Sequence, residues 1–314
     1  MRVFVVIFII SFLAVPSFAA KYAGDPFSLG AGARQLAMGR ASVAGPFDGT
    51  AAYWNPAGLN LLTGRQISAM HSETFGSLLN HDYLSYTVDK SSSGSKFKAF
   101  GFYLYYLGGG GIKITRPDEV TNRYIVIREE SHADIMLAGS LSGKIKDKID
   151  VGLTVKIIYR DVVDVNGYGL SADIGALYQP YDFARVGLVI TDFTSGIIRY
   201  SNGNTESIVP TVKPGLLLMH TIKDFTGQLA MSGDFKFEGI KYGAEYWMGD
   251  ISLDTHYGFE IGWRNMLFGR IGSDIGNFTA GFGINIKNAN VNLAYLHNSN
   301  FDETFRISAG YMFK

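Results

Sequence analysis

The chain has 314 residues, with 28 basic and 28 acidic side chains and no cysteine. Such a balanced charge gives no indication of nucleic acid or anionic lipid as a partner. The absence of cysteine excludes disulfides, thiolate metal sites and cysteine nucleophiles.

The first residues have the pattern of a secretory signal peptide. Met1-Arg2 forms a short basic region, and Val3 to Val15 is an almost unbroken apolar run. This run is too short for a membrane anchor, which needs about 20 apolar residues. Ser17-Phe18-Ala19 supplies small residues at the −3 and −1 positions of a signal-peptidase site. We therefore predict that residues 1–19 are a signal peptide, cleaved after Ala19.

Residues 20–64 lack the alternation that predicts strands. They are typical of glycine-punctuated turns with one or two short helices, the second opened by Asp48 or Thr50 and interrupted at Pro56. This segment carries much apolar surface for its size, so we expect it to pack against something larger.

From Arg65 onward the sequence alternates repeatedly between apolar and polar residues. In the stretch 168–178, one parity is wholly apolar and has a tyrosine at each end, whereas the other is small or polar with Asp173 at its centre. Because successive strand side chains point to opposite faces, the pattern indicates one apolar and one polar face. An apolar band bracketed by tyrosines is typical of a lipid-facing strand. One such strand fits a soluble sandwich equally well, and the repetition favours the membrane.

The alternation predicts fourteen strands, an even number, as single-chain bacterial barrels have. They are placed near 65–75, 79–90, 96–107, 131–143, 149–162, 168–179, 183–194, 215–222, 226–237, 252–263, 265–274, 277–286, 289–297 and 304–313. All eight prolines fall outside these spans. Residues 237–252 are interpreted as the extended tip of a hairpin, although Lys241 to Trp247 could form a strand of its own.

The predicted connections alternate in length, as in barrels with short periplasmic turns and longer external loops. The longer ones are 108–130, 195–214 and 238–251, and Asn166-Gly167 has the signal of a tight type I′ turn. With the signal peptide, this pattern predicts an all-β fold: residues 65–314 form a transmembrane antiparallel β-barrel of about 14 strands in the bacterial outer membrane.

Two motifs in the N-terminal segment carry a resemblance to a known family. Gly-Ala-Arg-x-x-Ala-Met-Gly at 32–39, followed by Asp-x-Thr-Ala-Ala-Tyr-Trp-Asn-Pro-Ala-Gly-Leu at 48–59, resembles the N-terminal signature of the PorV/PorQ family. That family belongs to the wider group of FadL-like outer-membrane barrels. The resemblance implies that residues 20–64 fold inside the barrel as a small plug or hatch. Asn55, Pro56 and Ala57 match the Asn-Pro-Ala motif of that hatch.

The polar parity of the strands places several charges on the inferred lumen face. Two interpretations stay open: a polar pathway or ring that holds the plug, or a salt-bridged filling of a narrow interior, since an unpaired charge there would be costly. The residues of this predicted lumen polar network are Asp134, Lys156, Arg160, Asp173, Arg185, Asp234, Glu260, Arg270 and Arg306.

No motif for catalysis, cofactor binding or metal binding accompanies these charges. The six histidines form no HExxH pair, and the sequence contains neither a GxSxG elbow nor a P-loop. Glu260 and Asp173 could serve as acid and base, but no nucleophile motif lies beside them. We therefore predict a protein that is not an enzyme and that has no catalytic residues, no cofactor and no metal.

Two functions follow from the resemblance. The PorV/PorQ signature implies a non-enzymatic interaction barrel in protein secretion or surface export of the type IX kind. Its partners would be outer-membrane lipid and exported proteins or components of the secretion machinery. The alternative is a FadL-like channel that takes up hydrophobic small molecules through a plugged barrel. The short chain and modest outer loops favour the secretion function, and neither function involves nucleic acid.

Overall fold

The computed structural model describes residues 23–74, 78–89, 97–297 and 303–313. The predicted signal peptide, 1–19, lies outside the described residues. Helices in these described ranges are few and short: two α-helices, α1 (Ala33–Ala37) and α2 (Ala51–Trp54), and two 3₁₀ helices at Asp25–Phe27 and Pro56–Leu61. Within these ranges, no helix has the length and apolar character needed to cross a membrane.

The rest of the described chain is dominated by seventeen strands in one sheet. They are β1 (Arg65–Thr74), β2 (Leu79–Asp89), β3 (Phe97–Pro117), β4 (Tyr124–Lys146), β5 (Ile149–Val162), β6 (Val165–Tyr181), β7 (Ala184–Thr191), β8 (Gly196–Tyr200), β9 (Thr205–Ile208), β10 (Thr211–Ile222), β11 (Phe225–Lys236), β12 (Tyr246–Met248), β13 (Ile251–Trp263), β14 (Leu267–Asp274), β15 (Asn277–Ile286), β16 (Ala289–Leu296) and β17 (Thr304–Phe313).

Fourteen of these strands form a closed antiparallel ring. The ring runs β1 to β7, β10, β11 and β13 to β17, and it closes where β1 pairs with β17. In that pairing Arg65 lies opposite Phe313 and Ser72 lies opposite Arg306. The predicted all-β barrel of fourteen strands is therefore confirmed. The short strands β8, β9 and β12 are additions at its outer rim.

The apolar parity faces outward. On β6, Tyr168, Leu170, Ile174 and Tyr178 are exposed, whereas the intervening Asp173 is buried inside the ring. Outward apolar and inward polar residues are the reverse of a soluble sandwich and match a wall that faces lipid. The same orientation holds on the closing strand β17, where Phe305 is exposed and Arg306 is buried.

Two of the three predicted long loops contain more strand than expected. Residues 108–130 are mostly a continuation of β3 and β4, which extend as a two-stranded ribbon past the last β2 pairing at Gly108 and the last β5 pairing at His132. The predicted loop 195–214 contains β8 and β9. Residues 237–252 do form a hairpin tip, carrying the three-residue β12 on β13.

Two local expectations were wrong. The turn after β5 is Val163-Asp164, and Asn166-Gly167 instead lies within β6, where Gly167 faces Arg160 of β5. This register keeps the polar parity inward, so burial of one face outweighs the turn preference. Moreover, Pro117, Pro180 and Pro214 lie inside strands: Pro117 ends the ribbon strand, and Pro180 lies at a register shift near the end of β6.

The N-terminal segment, residues 23–64, packs against inward-facing residues of the ring. Its α1 packs against β14 to β17, and the 3₁₀ helix Pro56–Leu61 packs against β2 to β6 on the other side. Apolar residues of the segment, including Leu36 and Leu59, join inward side chains such as Tyr105 in one buried core. The apolar surface noted in the sequence is therefore buried against inward side chains of the wall.

A charge placed on the outer face tests this orientation. Ile174→Arg should destabilise the barrel by about 2–4 kcal/mol, because Ile174 lies between the tyrosines of β6 and near the middle of the apolar band. Tyr178→Arg, on the same face but at the interface, should cost only about 0–1 kcal/mol. Urea unfolding of the barrel in lipid bilayers measures both values, and equal costs would contradict the lipid-facing assignment.

Candidate functional site in the barrel lumen

The predicted hatch motif lies at the contact between the N-terminal segment and the wall. Asn55 is fully buried; its amide donates to the carbonyl oxygens of Val43 (2.8 Å) and of Ala176 in β6 (3.3 Å). Its Oδ1 accepts from the backbone N–H of Ala57 at 3.1 Å, so the side chain also caps the 3₁₀ helix that begins at Pro56. One asparagine thus joins two turns of the segment to the wall.

Glycines on the inner face allow this close approach. A Cβ on Gly175 would lie 2.1 Å from Asn55 Oδ1, and one on Gly152 would lie 2.3 Å from the carbonyl carbon of Pro56. On the opposite wall, a Cβ on Gly258 would lie 2.4 Å from Met38 O. Any side chain at these positions would displace the segment, because real Cβ atoms do not approach so closely.

Glu260 is the charged contact between the segment and the wall. Its carboxylate accepts two hydrogen bonds from Arg34 of α1, at 2.6 and 2.9 Å, and one from Arg270 of β14 at 2.5 Å. Glu260 and Arg270, which belong to the wall, are both buried. Two arginines therefore share one carboxylate, and the positive excess is met in part by the Asn292 oxygen, which accepts from Arg270 at 3.0 Å.

Two further groups of predicted lumen charges are paired along β4 to β7. Asp134 Oδ1 accepts from Arg160 at 2.6 Å, as their opposite positions on β4 and β5 require. Lys156 lies 2.6 Å from both Asp173 and Asp192. This group of one lysine and two carboxylates carries a net negative charge.

A third group lies around β10 to β14. Asp234 pairs with Lys213 at 2.6 Å and lies 3.7 Å from His256, whose other ring nitrogen is 2.9 Å from Asp274. Arg40 of the N-terminal segment reaches Asp274 at 3.6 Å. This chain of contacts gives the segment a second charged link to the wall, beside the first at Glu260.

Two predicted members of the network have no carboxylate partner among the described residues. Arg185 donates to Gln179 Oε1 at 3.1 and 3.3 Å and to the carbonyl of Ala44 at 3.4 Å. Arg306 donates to His81 Nδ1 at 2.7 Å. Balanced counts of acids and bases therefore do not mean that every charge is paired with its opposite.

Sequence reasoning missed several charged lumen residues. Asp254 and His256 have the same parity as Glu260 on one predicted strand. The alternation of that strand therefore could have placed both of them on the lumen face. Lys213 was not predicted to face the lumen, because the predicted strand began at residue 215, after Pro214. Arg34 and Arg40 carried no signal, since the segment that holds them has no strand parity.

A cavity of about 280 Å³ lies at the outer end of the lumen, above the N-terminal segment. Part of its lining is aromatic or aliphatic: Phe27, Leu29, Tyr53, Trp54, Tyr103, Met136, Ile158, Ile208, Val209, Ile240 and Ile275. The charged part comprises Asp25, Arg40, Lys156, Asp173, Asp192, Lys213, Asp234, Lys236, Glu238 and Asp254. The cavity can therefore hold a small molecule with an apolar body.

Asp25 lies at the rim of this cavity on the N-terminal segment. Partial burial raises the pKa of its carboxyl group above the ordinary value, because burial opposes the charged form, while Lys236 acts in the opposite direction. Among the described residues, its carboxylate makes no ion pair within 4 Å, unlike those of Asp173, Asp234 and Asp254.

The wall beside this cavity is interrupted. β7 ends at Thr191, and after a turn β8 continues along β6 in its place; β9 then pairs with β8. Within the described chain, β9 has no second neighbour, and the outermost pair of β10 with β11 is Val212 with Phe235. No ladder therefore joins β9 to β11, and Val209 and Ile240 line the cavity beside this gap.

A second cavity of about 230 Å³ lies on the opposite, periplasmic side of the segment. It is bordered by Arg34, Glu260 and Arg270, and most of its other polar lining is amide: Gln66, Gln228, Asn265, Asn285, Asn290 and Asn292. The two cavities have different chemistry, and the N-terminal segment lies between them.

A closed fourteen-strand barrel with an apolar exterior, aromatic rings at the strand ends and a charged lumen is a bacterial outer-membrane protein. Its fold is that of the FadL-like outer-membrane channels. The structure of CymD, a monoaromatic hydrocarbon channel, matches with a TM-score of 0.59 and 13% identity over 91% of this chain and 98% of that one.

Two other solved structures show the same fold. A FadL homologue from Pseudomonas aeruginosa matches with a TM-score of 0.52 and 13% identity, over 96% of this chain and 99% of that one. The toluene transporter TodX from Pseudomonas putida matches with a TM-score of 0.51 and 11% identity, over 88% and 96%. No family model matches the chain, and no curated protein matches it.

Removing the carboxylate at Glu260 should destabilise the barrel strongly. Glu260→Gln leaves the buried Arg270 and the half-buried Arg34 without their shared counter-charge, which should cost about 3–5 kcal/mol in the free energy of unfolding. The matched control is Asp224→Asn, which breaks the exposed pair with Arg264 and should cost less than about 1 kcal/mol. Equal losses in urea titrations would mean that the Glu260 contacts add no more than a surface pair.

Proposed function

We propose that this protein is an outer-membrane channel that takes up hydrophobic small molecules, with residues 20–64 as a plug. The observation that carries the proposal is the outer cavity: it combines an apolar lining with a position beside the interrupted wall. The fold shared with channels for monoaromatic hydrocarbons and with a toluene transporter supports the same function. This is the alternative drawn from the sequence; the comparisons give the secretion function no support.

The contrast between the two cavities suggests the route. A hydrophobic molecule that enters the outer cavity gains contact with aromatic and aliphatic side chains. Straight passage would lead it past the plug into the periplasmic cavity, where amide and charged side chains outnumber apolar ones and fewer apolar contacts are on offer. The gap between β9 and β11 offers an exit to the lipid, because no hydrogen-bonded ladder needs to break there. We therefore propose lateral release beside Val209 and Ile240.

The charged contacts give the plug its proposed role. Arg34 and Arg40 tie the segment to Glu260 and Asp274 on one wall, and Asn55 ties it to β6 on another. A segment held on both sides supports the interpretation that the lumen network fixes the plug. It leaves less support for a continuous polar pathway, since most charges are already engaged with one another.

Binding can be followed through Trp54, which lines the outer cavity, after the other two tryptophans are replaced (Trp247→Phe and Trp263→Phe). In lipid nanodiscs, titration with butylbenzene should change Trp54 emission saturably. Ile240→Asn should weaken this binding and slow uptake by cells, because it puts an amide on the apolar border. Tyr242→Asn, on the same segment but 93% exposed, should leave both unchanged. An emission change that rises without saturation would contradict the proposed function.

The plug role predicts a change in conductance. Gly175→Val should displace Asn55 and raise single-channel conductance in planar bilayers, as should deletion of residues 21–60. Gly139→Val is the control, because its Cβ points outward and the nearest atom is a Phe102 ring carbon at 3.5 Å. Heat-modifiable mobility on gels checks that each variant forms a barrel. Folded variants with unchanged conductance would mean that the segment does not block the lumen.

A further inference from the structure

The charges around the outer cavity are unequal in number. Six carboxylates line it against four cationic side chains, which are Arg40, Lys156, Lys213 and Lys236. An excess of carboxylates creates a negative potential, and low-dielectric walls strengthen such a potential inside a cleft. With six carboxylates and four cations, the formal charge of the lining is negative.

Each of the four cationic side chains already has a carboxylate partner. Lys156 lies 2.6 Å from two carboxylates, and Lys213 lies 2.6 Å from Asp234. Lys236 is 3.0 Å from Asp254, and Arg40 is 3.6 Å from Asp274. An anionic ligand would have to displace one of these carboxylates and leave it unpaired in a partly buried site, which is costly.

A cationic ligand meets the opposite situation. The Asp25 carboxylate is at the rim and makes no ion pair among the described residues. In the Lys156 group, which consists of Lys156, Asp173 and Asp192, two carboxylates share one ammonium group. Aromatic rings complete the site: Tyr53 and Trp54 meet edge to face at 5.2 Å, and Tyr103 lies 6.1 Å from Tyr53. Ring faces attract organic cations and also cover apolar surface.

We propose that the outer cavity selects hydrophobic amines, which are cationic at neutral pH, and discriminates against carboxylates such as fatty acids. This inference rests on the proposed uptake function and names its substrate class. The ammonium group would lie near Asp25 and the Lys156 group, and the hydrocarbon body would lie against Tyr53, Trp54 and Met136.

The test compares three ligands that share a butylphenyl body: 4-butylbenzylamine, butylbenzene and 4-butylbenzoate. Each is titrated at low salt into the protein that retains only Trp54, in zwitterionic nanodiscs, with Trp54 emission as the signal. We expect the amine to bind at least tenfold more tightly than the benzoate, with butylbenzene between them. Because added salt screens charges, 0.5 M NaCl should reduce the difference between the amine and the benzoate.

A charge-removing variant locates the effect. Asp25→Asn should weaken binding of the amine about threefold or more, as expected for one charge a few ångströms away in a water-like medium, and should leave butylbenzene unchanged. The control is Glu119→Gln, which removes the same charge from the exposed tip of the β3–β4 ribbon and should change neither. Comparing variants in the same nanodiscs cancels partitioning into lipid.

The possible outcomes separate the two proposals. If all three ligands bind with the same affinity, or the benzoate binds most tightly, the charge selection is wrong and the uptake function stands. If no ligand gives a saturable signal, the uptake function itself fails. An Asp25→Asn variant with unchanged amine binding, beside an amine preference in the parent, would overturn the proposed position of the ammonium group.

Discussion

The structure depends on one constraint: backbone polar groups within a bilayer must find their hydrogen-bond partners inside the protein. A sheet meets this requirement only by closing on itself, which fixes the pairing of β1 with β17. Closure in turn gives every strand an outer face in lipid and an inner face in a confined lumen. Apolar side chains such as Ile174 then belong outside, and charges such as Glu260 belong inside.

Confinement of charge inside the ring explains how the N-terminal segment is held. Glu260 and Arg270 are opposite one another on β13 and β14, yet the carboxylate also accepts from Arg34 of the segment. On the same wall, Asp274 reaches Arg40. The segment thus contributes cations to a lumen whose β11 to β14 side is rich in acids, and its apolar residues fill the space that inward glycines leave open.

Most of the barrel could be predicted from sequence because lipid enforces a strict period of two. Strands β5, β15 and β17 begin and end where the alternation does. The ribbon of β3 and β4 could not be predicted in this way, because beyond Gly108 both faces meet water and no alternation is required. The tight turn expected at Asn166-Gly167 failed for the complementary reason: Arg160 had to stay inside, and the register followed it.

Strand parity places some of the charged residues on the inner face, but it gives neither the charged residues of the N-terminal segment nor the contacts made by turns. Parity alone places Lys156 and Asp173 inside, and their 2.6 Å contact follows from neighbouring strands. The partner Asp192 lies in the turn between β7 and β8, where Asp192 and Ser195 have positive φ angles of 55° and 54°. No periodic signal in the sequence marks such a turn. The interruption of the wall and the cavity beside it are therefore visible only in the three-dimensional structure.

The path of the N-terminal segment is also linked to the closure of the sheet. Ala23 lies near the outer end of the lumen, where Arg160 donates to its carbonyl oxygen, and the segment leaves at the periplasmic end through Gly64. Along the way it contacts strands from both halves of the wall. Because the segment contacts strands on both sides of the seam where β1 pairs with β17, its packing and the closed curvature of the sheet depend on each other.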